Sequence, residues 1–214
     1  MKLNLISKKN KETLDIMVYD ASDWAGQHLR FSWITGGLLY RLFGQLDEVR
    51  GCLSWEEALE YLLHVRQGEK INSIQFWGHG SPGHVWIDGR TLSLKTLLPN
   101  SVHRHLLEKL KSRLHPNSVL WFRSCNVGAT SEGKQFTKAL AEILECKVAV
   151  HTHIVHVLQG GLHILDPREE PYWSDGEGIK INNDKTVEML WTMPWTKNNV
   201  FFLQSSIPEK FLKK

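Results

Sequence analysis

Ser118-Val119-Leu120-Trp121-Phe122-Arg123-Ser124-Cys125-Asn126-Val127-Gly128 is the stretch on which the fold turns. Val119 to Phe122 is a continuous apolar run, the pattern of a strand covered on both faces rather than one alternating between core and solvent. The run stops in a polar loop that carries a cysteine. Ile71 to Trp77, followed by Gly78-His79-Gly80-Ser81-Pro82-Gly83, repeats the form, because glycine and proline at that density cannot stay extended. Its polar loop carries a histidine.

Helical patterns flank both strands. Ser54-Trp55-Glu56-Glu57 reads as a capping box, with the Ser54 hydroxyl taking the Glu57 amide and the Glu57 carboxylate reaching back to Ser54. Leu59, Leu62, Leu63 and Arg66 continue that helix to Gly68. Leu97 to Leu114 carries leucines at helical spacing until Pro116-Asn117. Ser131 to Glu145 sets Phe136, Leu140, Ile143 and Leu144 on one face, and Lys147-Val148-Ala149-Val150 follows as a strand. Val85-Trp86-Ile87 and Arg90-Thr91-Leu92 around Asp88-Gly89 predict a tight hairpin at the edge of the sheet. Leu14 to Tyr19 predicts a strand that ends at Asp20-Ala21-Ser22-Asp23. Residues 24 to 44 are rich in Trp, Phe and Leu but hold Gly26, Gly36, Gly37 and Gly44, which suits a loop followed by an imperfect strand or helix. Beyond Gly160 the pattern is irregular, then Trp-rich from Leu190 to Phe202, as for strands and loops packed over one sheet edge.

Alternating strands and helices predict an α/β three-layer αβα sandwich with a mostly parallel sheet. The 214 residues make one domain, residues 1–214, with 166–214 as a loop-rich carboxyl-terminal extension. Lys plus Arg minus Asp plus Glu is 26 − 23 = +3, too small a balance for a nucleic-acid partner. No apolar run approaches the roughly 18 residues of a membrane span, and the first residues lack a secretory apolar stretch. Cys52, Cys125 and Cys146 are an odd number without CxxC spacing, so free thiols and a cytoplasmic setting are expected.

In open sheets of this kind the chemistry gathers beyond the carboxyl ends of the strands, where His79 and Cys125 both stand. They are 125 − 79 = 46 residues apart, an interval filled by the hairpin, a helix and the next strand. Imidazole titrates close enough to neutrality to take a thiol proton or to hold the thiolate as an ion pair, and then to return the proton to a leaving amine. The amides of Gly80 and Cys125 are candidate donors to an oxyanion, with Gly80 letting a substrate carbonyl approach the backbone. Asp20 and Asp23 are candidates to orient the imidazole, a task a backbone carbonyl also performs.

Phe76-Trp77-Gly78-His79-Gly80 and Leu120 to Asn126 resemble the two catalytic motifs of the caspase-like cysteine peptidases, the clan CD-type group of caspases, gingipains, clostripain and separase. The resemblance is closer to a bacterial, DUF4347-like domain of that fold group with HGSPG and SCNV motifs, matched here by Gly78 to Gly83 and Ser124 to Val127. It spans roughly residues 14 to 165 and implies a caspase-like fold, His79 as general base, Cys125 as nucleophile and Gly80 as an oxyanion contributor. It implies a peptide or protein substrate, and no cofactor or metal is needed for such chemistry. The caspase Gln-Ala-Cys-Arg-Gly arrangement is missing around Cys125, so aspartate specificity does not carry over.

Two other readings stand beside the hydrolase. One is a non-catalytic interaction domain that keeps the fold, since a cysteine ending an apolar strand is ordinarily packing. The other is a metal-dependent hydrolase using His151, His153 and His163, with His156 and Asp166 nearby, because alternate residues of a strand share a face. Asp166, Glu169, Glu170 and Asp175 are candidates to line a pocket for a basic side chain, or a solvated acidic loop. Cys52 and Cys146 read as structural. The tryptophans, among them Trp77, Trp86, Trp121, Trp191 and Trp195, read as core, as do Met189 and Met193; Trp173 either covers the sheet or walls a pocket.

Overall fold

The structure, a computed structural model, describes residues 13–22 and 29–212; Asp23, Trp24 and Gly26 of the readings above lie outside the described residues. The chain runs through β1 (Thr13–Asp20), α1 (Leu29–Leu42), β2 (Glu48–Cys52), α2 (Trp55–His64), β3 (Lys70–Trp77), β4 (Gly80–Ser81), β5 (His84–Ile87), β6 (Arg90–Ser93), α3 (Val102–Lys111), β7 (Leu114–Phe122), α4 (Thr130–Leu144) and β8 (Lys147–His151). The remainder holds β9 (Leu158–Gln159), β10 (Leu162–Leu165), β11 (Ile179–Ile181), β12 (Val187–Met189), β13 (Val200–Phe201) and α5 (Glu209–Leu212). The main sheet has the order β10-β8-β7-β3-β1-β2. Its pairs are parallel except β10, which runs antiparallel along β8.

Strand alternation sorts the residues into two layers. Leu14, Ile16 and Val18 of β1, Ile74 and Phe76 of β3, Leu120 and Phe122 of β7, and Val148 and Val150 of β8 pack against the apolar stripes of α2, α3 and α4. The intervening residues face the other way. There Met17 and Trp77 meet Trp33 and Tyr40 of α1, while Trp121 and Ala149 meet Val200 and Ile207 of the carboxyl-terminal segment. The molecule is therefore an α/β sandwich of three layers, and the third layer is part helix and part extended chain. That second face is not uniformly apolar as the runs predict: Gln75, Arg123 and His151 are buried on it.

Three local readings change. Ser54 does cap α2, accepting from the Glu57 amide at 3.0 Å, but the Glu57 carboxylate reaches the Leu53 amide at 2.8 Å instead of that of Ser54. α3 starts at Val102 behind its own cap, Ser101, and ends at Lys111; Leu114 already belongs to β7. The third concerns α1, where Gly36 and Gly37 act as packing devices rather than breakers. A Cβ on Gly37 would lie 2.8 Å from Val49 Cγ1 and 2.9 Å from Met17 Sδ, so only glycine lets this helix lie directly on β1 and β2.

Candidate functional site

Strand pairing brings the two polar loops together. Phe76 of β3 and Phe122 of β7 are register partners, and His79 and Cys125 each follow three residues later, 79 − 76 = 125 − 122 = 3. The Arg123 amide donates to the Phe76 carbonyl at 2.9 Å, and the Gly83 amide donates to the Val127 carbonyl at 3.0 Å. Between those bonds the loops touch: a Cβ on Gly80 would stand 2.7 Å from the Cys125 carbonyl oxygen and 2.9 Å from Ser124 Cβ. Gly80 is thus glycine because backbone meets backbone there, a reason the sequence reading assigned to the substrate.

The hairpin is not at the edge of the main sheet. β4, β5 and β6 form a separate three-stranded antiparallel sheet that continues from the His79 loop. Its turn has positive φ at both Asp88 (51°) and Gly89 (70°), the conformation that the Asp-Gly pair favours. The Trp86 amide donates to the His79 carbonyl at 3.1 Å, which makes His79 and Trp86 a hydrogen-bonded pair. Gly80 and Val85 then form the non-bonded pair of the ladder, so the Gly80 N–H points away from β5. Among the described residues the Cys125 N–H also makes no hydrogen bond.

The side chains of His79 and Cys125 are both half-buried. The His79 ring lies edge-on to Trp33, with centroids 5.6 Å apart. Burial pushes its pKa below the ordinary histidine value, against the opposing charge of Asp20. Asp20 is buried at the end of β1, where Oδ1 accepts from the Ser22 amide at 2.9 Å and the Ser22 hydroxyl at 2.6 Å. Cys125 Sγ donates to the Val155 carbonyl at 3.9 Å rather than to an imidazole, and burial pushes the thiol pKa up, with a smaller opposing effect from the Val155 backbone. The two directions agree. At neutral pH the resting groups are a thiol and an uncharged imidazole, so of the two schemes above proton acceptance during attack fits better than a standing ion pair.

Arg123, next to this loop, is fully buried and lies between the rings of Trp77 and Trp121, 4.2 Å from each centroid. Nε donates to Gln159 Oε1 at 2.8 Å; Nη1 donates to the Gln204 carbonyl at 2.7 Å, Gln75 Oε1 at 3.2 Å and the Tyr40 hydroxyl at 3.3 Å; Nη2 donates to the Phe202 carbonyl at 3.0 Å. Every one of these partners is neutral. Burial lowers the Arg123 pKa to about 10, which still leaves a cation held by aromatic faces and oxygen dipoles. The stem of the cysteine loop is thereby tied to β3, α1, β9 and the carboxyl-terminal segment.

A family model described as a domain of unknown function, DUF4347, matches residues 54–161, half of the chain. The chain belongs to the DUF4347 family. No curated protein matches it. The DUF4347 match opens at the cap of α2 and closes at Gly161, so it includes His79, Gly80 and Cys125 and leaves out β1 with Asp20 and everything from Leu162 onward.

Several other candidates resolve differently in this DUF4347 chain. β8 ends at His151, so His151 and His153 do not share a strand face. Both nitrogens of His151 are engaged, one with Trp121 Nε1 at 3.0 Å and one with the Gly160 carbonyl at 3.1 Å, and burial takes its pKa down to about 3. His163 faces Glu177 at 2.7 Å and His156 faces the Thr192 carbonyl at 2.8 Å. Among the described residues no group of three or more His, Cys, Asp or Glu is arranged to hold a metal ion. The acidic loop pairs with lysines instead of lining a pocket: Asp166 with Lys147, Glu170 with Lys138 and Asp175 with Lys134. Trp173 is buried, stacked on His163 with its Nε1 donating to the Gly128 carbonyl at 2.8 Å, so it covers the sheet. Cys52 and Cys146 are buried and their thiols are pushed up to about 12 by burial, as structural cysteines should be. Trp191, Trp195 and Met193 are exposed, contrary to the core assignment. Glu177, between two glycines in an aromatic stretch, is the carboxylate the sequence reading missed. Among the described residues no helix is long and apolar enough to cross a membrane.

Proposed function

We propose that the chain is a caspase-like, cysteine-dependent peptide-bond hydrolase in which Cys125 is the nucleophile and His79 the general base. The observation that carries this reading is the register of β3 and β7, which delivers the histidine loop and the cysteine loop level with each other and in backbone contact. The resemblance of both motifs to the caspase-like peptidases supports it. In the reaction, His79 takes the thiol proton as sulfur bonds to the scissile carbonyl carbon. The amides of Cys125 and Gly80 receive the oxyanion. The carbon–nitrogen bond then breaks, the amine leaves with the proton from His79, and a thioester remains on Cys125. Water attacks the thioester, giving its proton to His79; the carbon–sulfur bond breaks and the thiol regains a proton. Asp20, whose charge acts on His79, favours the protonated imidazole formed on the way. The substrate is a peptide or protein segment, and free thiols at Cys52, Cys125 and Cys146 suit a cytoplasmic setting.

One observation favours the rival reading of a non-catalytic domain, namely the hydrogen bond that turns the thiol toward Val155. A screen of fluorogenic peptides varied at the residue before the cleaved bond separates the two. The expected result is hydrolysis by the native chain that disappears in Cys125→Ala with the melting temperature unchanged. Hydrolysis that survives this substitution, or none with any peptide, rejects the hydrolase.

A further inference from the structure

The loop of residues 174–178 and the segment 190–197 enclose an open cleft of about 760 Å3. Its walls include the exposed indoles of Trp191 (60%) and Trp195 (77%), together with Met193, and its ionisable groups are Glu177, His153 and Lys197, with the hydroxyls of Ser174 and Thr196 beside them. Glu177 is fixed in place. Its Oε1 accepts from Thr152 Oγ1 at 3.0 Å and faces His163 Nε2 at 2.7 Å, and His163 is itself buried against Trp173. The next residue, Gly178, sits at φ +78°, and a Cβ there would strike the Thr152 carbonyl at 1.8 Å, so the loop is pressed onto the end of β8. Burial works against ionisation of Glu177, but the donors His163 and Thr152 prevail and hold its carboxyl below the usual range. Among the described residues its Oε2 has no hydrogen-bond partner, which leaves an oriented anion lining the same cleft as two exposed indoles, of which Trp191 also meets the His156 ring at 6.2 Å between centroids.

The cleft is joined to the cysteine loop through one short stretch of chain. Residues 153–155 bond on one side to that loop, through Asn126 N to the His153 carbonyl at 3.1 Å and the thiol to Val155. On the other side Ile154 exchanges backbone bonds of 2.9 and 3.0 Å with Leu190 and Thr192. His153, which lines the cleft, is two residues from Val155, a span of about 7 Å at full extension.

We infer that this cleft recognises an arginine-type side chain of a peptide, with Glu177 pairing the guanidinium and Trp191 and Trp195 stacking on its faces. A planar, weakly hydrated cation with forked donors matches a carboxylate flanked by indoles better than a compact ammonium does. As an account of substrate choice it rests on Cys125 and His79 being the reacting pair. Burial keeps His153 below its ordinary range and hence neutral near pH 7, so the charges facing the cleft are Glu177 and the opposing Lys197.

The test is binding of Nα-acetyl-arginine methylamide and of its neutral citrulline isostere to the full chain carrying Cys125→Ala, read by quenching of tryptophan fluorescence. Arginine is expected to bind saturably and citrulline at least tenfold more weakly. Glu177→Gln should erase that difference, Trp195→Ala should weaken arginine several-fold, and Lys197→Gln should tighten it, because a competing cation is gone. Trp195 is largely exposed, so its variant keeps the test valid if Glu177→Gln impairs folding. Equal binding of the two ligands, or weaker arginine binding in Lys197→Gln, overturns the proposal. Failures separate cleanly: arginine binding without peptide hydrolysis removes the reacting pair and leaves the cleft, whereas hydrolysis indifferent to a basic side chain does the reverse.

Discussion

Arg123→Ala is expected to lose about 3–5 kcal/mol of folding stability, the largest effect of any single side chain outside the apolar core. The deletion removes the guanidinium donor of Gln159, Tyr40 and the Gln204 carbonyl and one of two donors to Gln75 Oε1 and the Phe202 carbonyl, which keep Trp77 Nε1 and the Tyr40 hydroxyl, and it opens a void between Trp77 and Trp121. Relief from burying an uncompensated cation offsets part of that loss. The damage should be uneven, because the helices α2, α3 and α4 lie on the other face of the sheet. Urea unfolding reads the total, and trypsin cleavage at Lys197 and Lys210, accelerated well before the core opens, reads the release of the carboxyl-terminal segment. A melting temperature equal to that of the native chain would show that the buried guanidinium holds nothing together.

His79→Gln is expected to lower kcat/KM about 10²- to 10⁴-fold, the usual contribution of a positioned general base. Glutamine keeps a polar side chain against Trp33 but accepts no proton. On the proposed mechanism the working form is neutral imidazole, and burial holds the His79 pKa below 6.5. The sign follows: kcat/KM should be level from neutrality upward to about pH 9 and should fall as pH drops through a value under 6.5, where His79 protonates. In His79→Gln that acid limb should vanish along with most of the rate. A limb above 6.5 in the native chain would mean that a different group titrates.

The strands that position the site were legible because each ends in an apolar stretch (Ile74 to Trp77 broken by Gln75, Val119 to Phe122, Val148 to Val150) that runs into polar or glycine-rich chain, and β3, β7 and β8 follow that reading to within a few residues. Two kinds of feature were not legible. One is close approach: Gly36 and Gly37 look like helix breakers in a local reading, and only the contacts of Gly36 with Phe202 and of Gly37 with Met17 and Val49 explain them. The other is pairing between segments distant in sequence. Nothing near Arg123 reveals that carbonyls about 80 residues later will gather around it, so the carboxyl-terminal segment looked like edge packing when it closes the second face of the sheet. The acidic residues 166–175 drew attention by their charge, yet lysines of α4 and β8 take most of them up. Glu177 carried a fainter sign, a lone acid between Gly176 and Gly178 with tryptophans on either side in the chain.

Peptide mapping of the chain after treatment with a peptidyl chloromethyl ketone tests the pairing of thiol and imidazole most directly, since that reagent places an electrophilic carbon where a scissile carbonyl would lie. Cys52 and Cys146, with thiols pushed up to about 12, serve as internal controls. The account predicts one adduct, on Cys125, formed at least tenfold more slowly in His79→Gln, as expected when a base assists the thiol. Labelling of Cys125 that is no faster than that of a free cysteine, or that is indifferent to loss of His79, would contradict it.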